Sequence, residues 1–206
     1  DDFVSRGGHK LAGALEAFSD VVVEGKVCLD AGASTGGFTD VLLRQGAKKV
    51  IAVDVGYGQL AWELRQDERI VILDRTNIRH LTGDMVGEDV EIVVADLSFI
   101  SLSLVLPALA AVSKPSADFL LMVKPQFEVG RERLGAGGVV RDPALRRSAV
   151  LDVAQSAYDV GLGTMGIAAS PLPGPAGNVE YFLWLRRGAP AIDESALDRA
   201  IEMGPA

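Results

Sequence analysis

The sequence predicts an α/β fold: one Rossmann-like domain around a mostly parallel seven-stranded sheet with an antiparallel last strand. Three observations carry that expectation. Continuous apolar runs such as KVCLD (26–30), KKVIAVD (48–54) and EIVVAD (91–96) alternate with segments of helical spacing, the pattern of a parallel sheet covered on both faces. The first run leads through a turn of small residues, LDAGASTGGFT (29–39), into a helix. Near the end, MGIAASP (165–171) and VEYFLWLR (179–186) are joined by only LPGPAGN, too short for a crossover helix, so they should pair antiparallel.

The elements follow in order. HKLAGALEAFS (9–19) places Leu11, Leu15 and Phe18 on one helical face. A buried strand spans 26–32, and GFTDVLLRQG (37–46) follows as a helix with Gly46 as its stop. Strands are expected over 48–56, 69–74 and 91–98, then a helix over 101–112 and a strand over 118–125. A glycine- and arginine-rich loop covers 126–142. Pro143, well suited to a first helical position, opens a helix running to about 161. Strands over 165–170 and 179–186 and a terminal helix over 194–203 complete one domain spanning 1–206.

Composition narrows the function classes. No run approaches the roughly 18 uninterrupted apolar residues of a membrane span, and the opening DDFVSRGGHK has no apolar secretion signal, so a cytoplasmic location is expected. Cys28 is the single cysteine and lies inside an apolar strand; with only His9 and His80 besides, a structural zinc site is excluded. Twenty basic residues against 28 acidic ones give a net charge of −8, which opposes non-specific nucleic-acid binding. Locally the balance reverses. Between 126 and 147, Arg131, Arg133, Arg141, Arg146 and Arg147 outnumber Glu128, Glu132 and Asp142, either as a solvated segment or as a nucleic-acid contact.

In an open parallel sheet, ligands bind beyond the carboxyl ends of the strands, where the first strand turns into its helix. The turn here is no phosphate loop, since Gly37-Phe38-Thr39 stands where such a loop needs Gly-Lys-Ser/Thr. Nor does it complete a dinucleotide turn: Gly32 and Gly37 fit, but Ser34 occupies the middle glycine position that lets a pyrophosphate approach. S-adenosylmethionine carries no phosphate and has no such need. Its amino-acid end suits the small-residue turn (Asp30, Gly32, Ala33, Ser34, Gly36, Gly37), and its ribose diol suits Asp54, with Val55 alongside. Asp54 as a simple cap or turn former is the competing reading. Asp74, Arg75 and Thr76, after the third strand, either flank the adenine or are loop residues.

SRGGHKL, LDAGASTGGFT, DVGYGQLAW, RTN, VVADLSFISL, LMVKPQFEVG, GGVVRDP and SPLPGPAGNVEYFLWL occur in one order from residue 5 to about 186. Together they resemble the hemolysin A (TlyA) family of FtsJ-like ribosomal RNA 2′-O-methyltransferases. The resemblance implies a Rossmann-like class I S-adenosylmethionine-dependent methyltransferase acting on ribosomal RNA or ribosomal subunits, with cytidines as targets. It also implies that an N-terminal S4-type RNA-binding domain, usual in the family, lies outside this chain. The family's Lys-Asp-Lys-Glu set carries over onto Lys10, Asp96, Lys124 and Glu180. Independently of the family, Asp96 and Lys124 each end an apolar strand and so face one crevice.

Methylating a ribose hydroxyl requires positioning the hydroxyl and removing its proton; Lys124 is the base candidate, and no metal is required. A structural ion pair of Lys124 with Asp96 or Glu180 is the alternative. With the crevice assigned, Arg6, Phe127, Arg131, Arg133 and Arg141 become candidate RNA contacts, Phe127 either stacking or packing. A small-molecule O-methyltransferase is the runner-up. A membrane-active hemolysin, suggested by the family's name, lacks the spanning segment or strongly amphipathic basic helix it would need.

Overall fold

The computed structural model describes residues 2–204. Seven strands form one sheet: β1 (Val27–Ala31), β2 (Lys49–Val53), β3 (Ile70–Leu73), β4 (Val90–Ala95), β5 (Ser113–Val123), β6 (Leu162–Ala169) and β7 (Tyr181–Arg187). Their order across the sheet is β3-β2-β1-β4-β5-β7-β6. All run parallel except β7, which inserts between β5 and β6 and is antiparallel to both. The chain thus leaves β1 in one direction for β2 and β3 and crosses back for β4, opening a crevice at the carboxyl ends of β1 and β4.

Both faces of the sheet are buried because alternate strand residues feed two separate cores. Val27, Leu29 and Ala31 of β1 and Val93 and Ala95 of β4 join α5 (Leu106–Ala111), α6 (Pro143–Asp159) and α7 (Glu194–Met203) on one side. Cys28, Ile92 and Val94 pack on the other side against α1 (Gly7–Ala17) and α2 (Gly37–Arg44). Burial pushes the Cys28 thiol up to about 12, so it stays a small buried hydrophobe.

Four elements differ from expectation. Two one-turn helices, α3 (Trp62–Arg65) and α4 (Gly83–Val86), occupy segments between the expected strands to which no element was assigned. The helix expected over 101–112 is split: a 3₁₀ turn at Leu102–Leu104 precedes α5, whose first turn carries Pro107. β5 starts at Ser113, five residues early, because the polar stretch with Pro115 still pairs at its first residue with Val90 before a bulge. The loop after β5 contains three 3₁₀ turns.

Candidate active site

The glycine turn is fastened to the neighbouring strand before any ligand is considered. Gly32 and Ala33 N–H both donate to the Val53 carbonyl, at 2.9 and 3.0 Å. Gly32 has φ +82°, and a Cβ there would lie 2.4 Å from the Asp96 carbonyl, so only glycine lets the two strand ends approach. Ser34 adopts φ +51°, the left-handed conformation that favours glycine. Asp54 holds it there: Oδ2 accepts from Ser34 N–H at 2.7 Å and Oδ1 from Gly56 N–H at 2.8 Å. Each oxygen keeps a second lone pair for a ligand hydroxyl.

Two cavities open at the sheet's carboxyl edge and share Gly32, Ser34, Asp96 and Ser98 as a common wall. The smaller, about 420 Å³, is lined by Asp54, Val55, Asn77, Ile78, Phe99, Ile100 and Val105. Apolar walls with a carboxylate at one end fit an adenosine: Ile78, Ile100 and Val105 for the base, Asp54 for the ribose diol. The larger, about 600 Å³, is bordered by Arg6, Lys10, Gly37, Asp96, Lys124 and Gly174 among others.

Several residues expected at the cofactor lie outside both cavities. Asp30 does not reach either cavity. It is fully buried beneath the turn, its Oδ2 accepting from Thr39 Oγ1 at 2.7 Å, and its other oxygen has no partner. Burial, opposed by the Thr39 hydrogen bond, raises its pKa to about 7. Asp74, Arg75 and Thr76 line neither cavity either. Arg75 turns the chain with φ +51°, so that Asn77 and Ile78 face the smaller cavity in their stead. Gly36 is a turn residue set against Leu60 and Leu64.

Lys10, Asp96, Lys124 and Glu180 do converge, as two pairs. Lys10, on the inward face of α1, meets Glu180 Oε1 at 3.0 Å. Glu180 is fully buried just before β7, and its other oxygen accepts from Gln126 Nε2 at 2.9 Å. Lys124, 6% exposed at the end of β5, pairs with Asp96 at the end of β4 and donates to Ser98 Oγ at 3.2 Å. Both lysines border the larger cavity. Gly174 closes over the first pair; a Cβ there would sit 2.2 Å from Glu180 Oε2.

Gln126 and Ser98 are the residues that sequence reasoning missed. Each stands two positions after a residue it did single out, Lys124 and Asp96. Phe99 was missed as well: it is 89% exposed with φ +63° and packs against Phe127, ring centroids 4.8 Å apart and planes tilted by 54°. Glu128 braces that pair by accepting from Ser101 Oγ at 2.6 Å and Leu102 N–H at 2.9 Å. Burial raises its pKa.

Of the arginines, Arg6 borders the larger cavity, and Arg131 and Arg133 are exposed without an ion pair among the described residues. Arg141 donates to the Ala136 carbonyl, while Arg147 is taken up by Glu194 and Asp198 of α7. Among the described residues no helix is long and apolar enough to cross a membrane, and no group of three or more His, Cys, Asp or Glu could hold a metal.

A switch-point crevice with an adenosine-sized cavity beside a buried lysine–carboxylate set defines an S-adenosylmethionine-dependent methyltransferase. The family model for FtsJ-like methyltransferases matches residues 3–187, and the chain belongs to that family. It is 60% identical over 208 residues to the 16S/23S rRNA (cytidine-2′-O)-methyltransferase TlyA of Mycobacterium tuberculosis, covering 98% of this chain and 77% of that protein. Hemolysin A of Brachyspira hyodysenteriae is 39% identical over 180 residues, 87% of this chain and 75% of the relative. The solved structure of a candidate hemolysin from Streptococcus thermophilus superposes with a TM-score of 0.93 at 40% identity, covering 98% of this chain and 74% of that one. Magnesium protoporphyrin IX methyltransferase from Synechocystis, solved with bound SAH, shares the fold at a TM-score of 0.59 and 16% identity, covering 91% of this chain and 90% of that one.

Proposed function

We propose that this chain methylates ribose 2′-oxygens of ribosomal RNA, at cytidines, using S-adenosylmethionine. The observation that carries the reading is the placement of two buried lysines, each tied to a carboxylate, beside the wall shared by a nucleoside-sized cavity and a larger open one. The 60% identity to a protein named for that activity supports the choice of substrate.

S-adenosylmethionine supplies an activated sulfonium methyl, so the chain's task is to orient a hydroxyl and accept its proton. Asp54 would hold the donor's ribose hydroxyls, and Ile78, Ile100 and Val105 would enclose its base. Lys124, positioned by Asp96 and Ser98, would take the proton of the acceptor 2′-hydroxyl onto an unprotonated amine; the donor would supply its methyl to that oxygen, with its C–S bond breaking to leave the neutral thioether. Lys10, fixed by Glu180 and Gln126, stabilises the negative charge that develops on that oxygen. The proposed step calls for no metal.

Arg6, Arg131, Arg133 and Arg141 would follow the RNA backbone. The chain's charge of −8 limits how many phosphates it holds alone, and the S4-type domain implied by the family would share the docking. The reading implies a cytoplasmic location, beside the ribosome. The test is to map 2′-O-methyl groups on ribosomal subunits incubated with S-adenosylmethionine and either wild type or Lys124→Ala. Methyl groups on cytidine riboses, absent with the variant, are expected; methylation elsewhere, or none by wild type, would overturn the proposal.

A further inference from the structure

The exposed aromatic side chains among the described residues are unevenly placed. Tyr57 (70% exposed) and Phe99 stand on loops at the carboxyl edge of the sheet, Trp62 (73%) opens α3 right after the first of these loops, and Tyr158, on α6, lies elsewhere. Isolated apolar residues on a surface are ordinary. Tyr57 and Trp62, however, fall in one short segment, 55–62, that runs along the mouths of both cavities. At one end Val55 and Gln59 line the smaller cavity. At the other, Ala61 N–H donates to the carbonyl of Thr35, a residue of the larger one, at 3.0 Å.

The segment is held rather than loose. Arg75 N–H donates to the Gly56 carbonyl at 2.9 Å, and Gly58 N–H donates to Asp74 Oδ2 at 3.1 Å. The Arg75 guanidinium lies 4.3 Å from the centre of the Tyr57 ring. This fixes the ring against one face and puts a cation beside the surface left to solvent.

The geometry points to segment 55–62 as a stacking rim for unpaired RNA bases that flank the methylated nucleotide. The inference rests on the RNA reading above and extends it to a contact surface. A ribose hydroxyl reaches a crevice this deep only if its nucleotide leaves the stack, which strips its neighbours of a stacking partner. Aromatic faces on the rim replace that partner, whatever the base, because every base has a π-face. Tyr57 with Arg75 serves one flank and Trp62 the other. This side of the mouth adds contacts that the arginine loop does not supply.

Tyr57→Ala and Trp62→Ala should each raise KM for ribosomal RNA by roughly 5- to 150-fold, the range for losing one stacked base, with kcat near wild type. Affinity for S-adenosylmethionine should not change, and Tyr57→Phe and Trp62→Phe should keep KM near wild type. Trp184→Phe leaves Trp62 as the sole indole, and single-stranded RNA should then quench its fluorescence. If that variant does not fold, the difference between wild type and Trp62→Phe carries the same signal. Wild-type KM in both alanine variants overturns the rim while leaving the methyltransfer reading intact. Weakened donor binding in those variants, or an indole that RNA does not quench, also overturns it. Quenching by RNA in a protein that methylates no RNA supports the rim and sinks the reaction.

Discussion

Asp30→Asn should change how stability depends on pH. The carboxyl is fully buried, and its pKa rises from 3.8 to about 7. The folded chain therefore holds this proton more tightly than the unfolded chain. Between pH 3.8 and about 7, the unfolded state has released the proton while the folded state still carries it. Stability consequently falls as pH rises through that window and levels off above it. The span is roughly 3 pH units, so the wild type is penalised by up to about 4 kcal/mol above pH 7. Asparagine carries no such penalty. Its amide does bring a buried N–H₂ to where one Asp30 oxygen has no partner, at a pH-independent cost of about 1–3 kcal/mol. The informative quantity is thus the slope of the difference. Urea denaturation at pH 5, 6, 7 and 8 should show the variant gaining on wild type at each step up to 7. Other buried acids, Glu128 included, cancel in the difference. Parallel profiles would refute the argument that ionised Asp30 is strained beneath the turn.

Asp54→Ala should weaken S-adenosylmethionine binding by about 1–3 kcal/mol, read by calorimetry; equal affinity would reject the ribose contact. Lys124→Ala should abolish single-turnover methyl transfer while sparing donor binding, and Lys124→Arg should fail too, because arginine keeps its proton. An active arginine variant would instead show that the group works by charge and position. Lys10→Met should destabilise the fold by about 3–5 kcal/mol by leaving the fully buried Glu180 unpaired, and adding Glu180→Gln should restore much of it. A denaturation cycle showing additive losses would reject that coupling. Gly174→Ala should cut methyl transfer while circular dichroism stays native, because its Cβ would collide with the Glu180 carboxylate. Full activity would show that the turn has room to shift.

Much of this fold is legible in the sequence because a strand buried on both faces cannot hide its apolar run. That holds for β1, β2, β4 and the main part of β5, and the short LPGPAGN link made the antiparallel pairing of β7 with β6 a matter of reach. One-turn helices such as α3 and α4 are too short to show a period. The first residues of β5 were concealed by Lys114, Pro115 and Ser116, which lie between the single Ser113–Val90 pair and the regular ladder that starts at Asp118. In the site, charged residues at strand ends announced themselves, and Asp96, Lys124, Lys10 and Glu180 come together in space. Neutral ones did not: Gln126 and Ser98 are recognisable only from what they touch. The burial of Asp30 was hidden for the converse reason, since a carboxylate in a glycine turn looks like a ligand contact from sequence alone. Ser34 broke the glycine pattern by identity, yet its backbone takes a left-handed conformation more usual for glycine.

The strand order also has a consequence for synthesis. β6 hydrogen-bonds to no strand but β7, and β7 is the last strand to be made. While the chain emerges from its N-terminus, β6 is complete but has no neighbour, and β5 presents an open edge. Both wait for the same seven residues. Glu180 is joined directly to the start of that strand, and its partner Lys10 lies 170 residues earlier in the chain. The event that seals the sheet therefore also completes the Lys10–Glu180 pair, so a nascent chain halted before β7 would carry the donor turn in full and still be unable to use it.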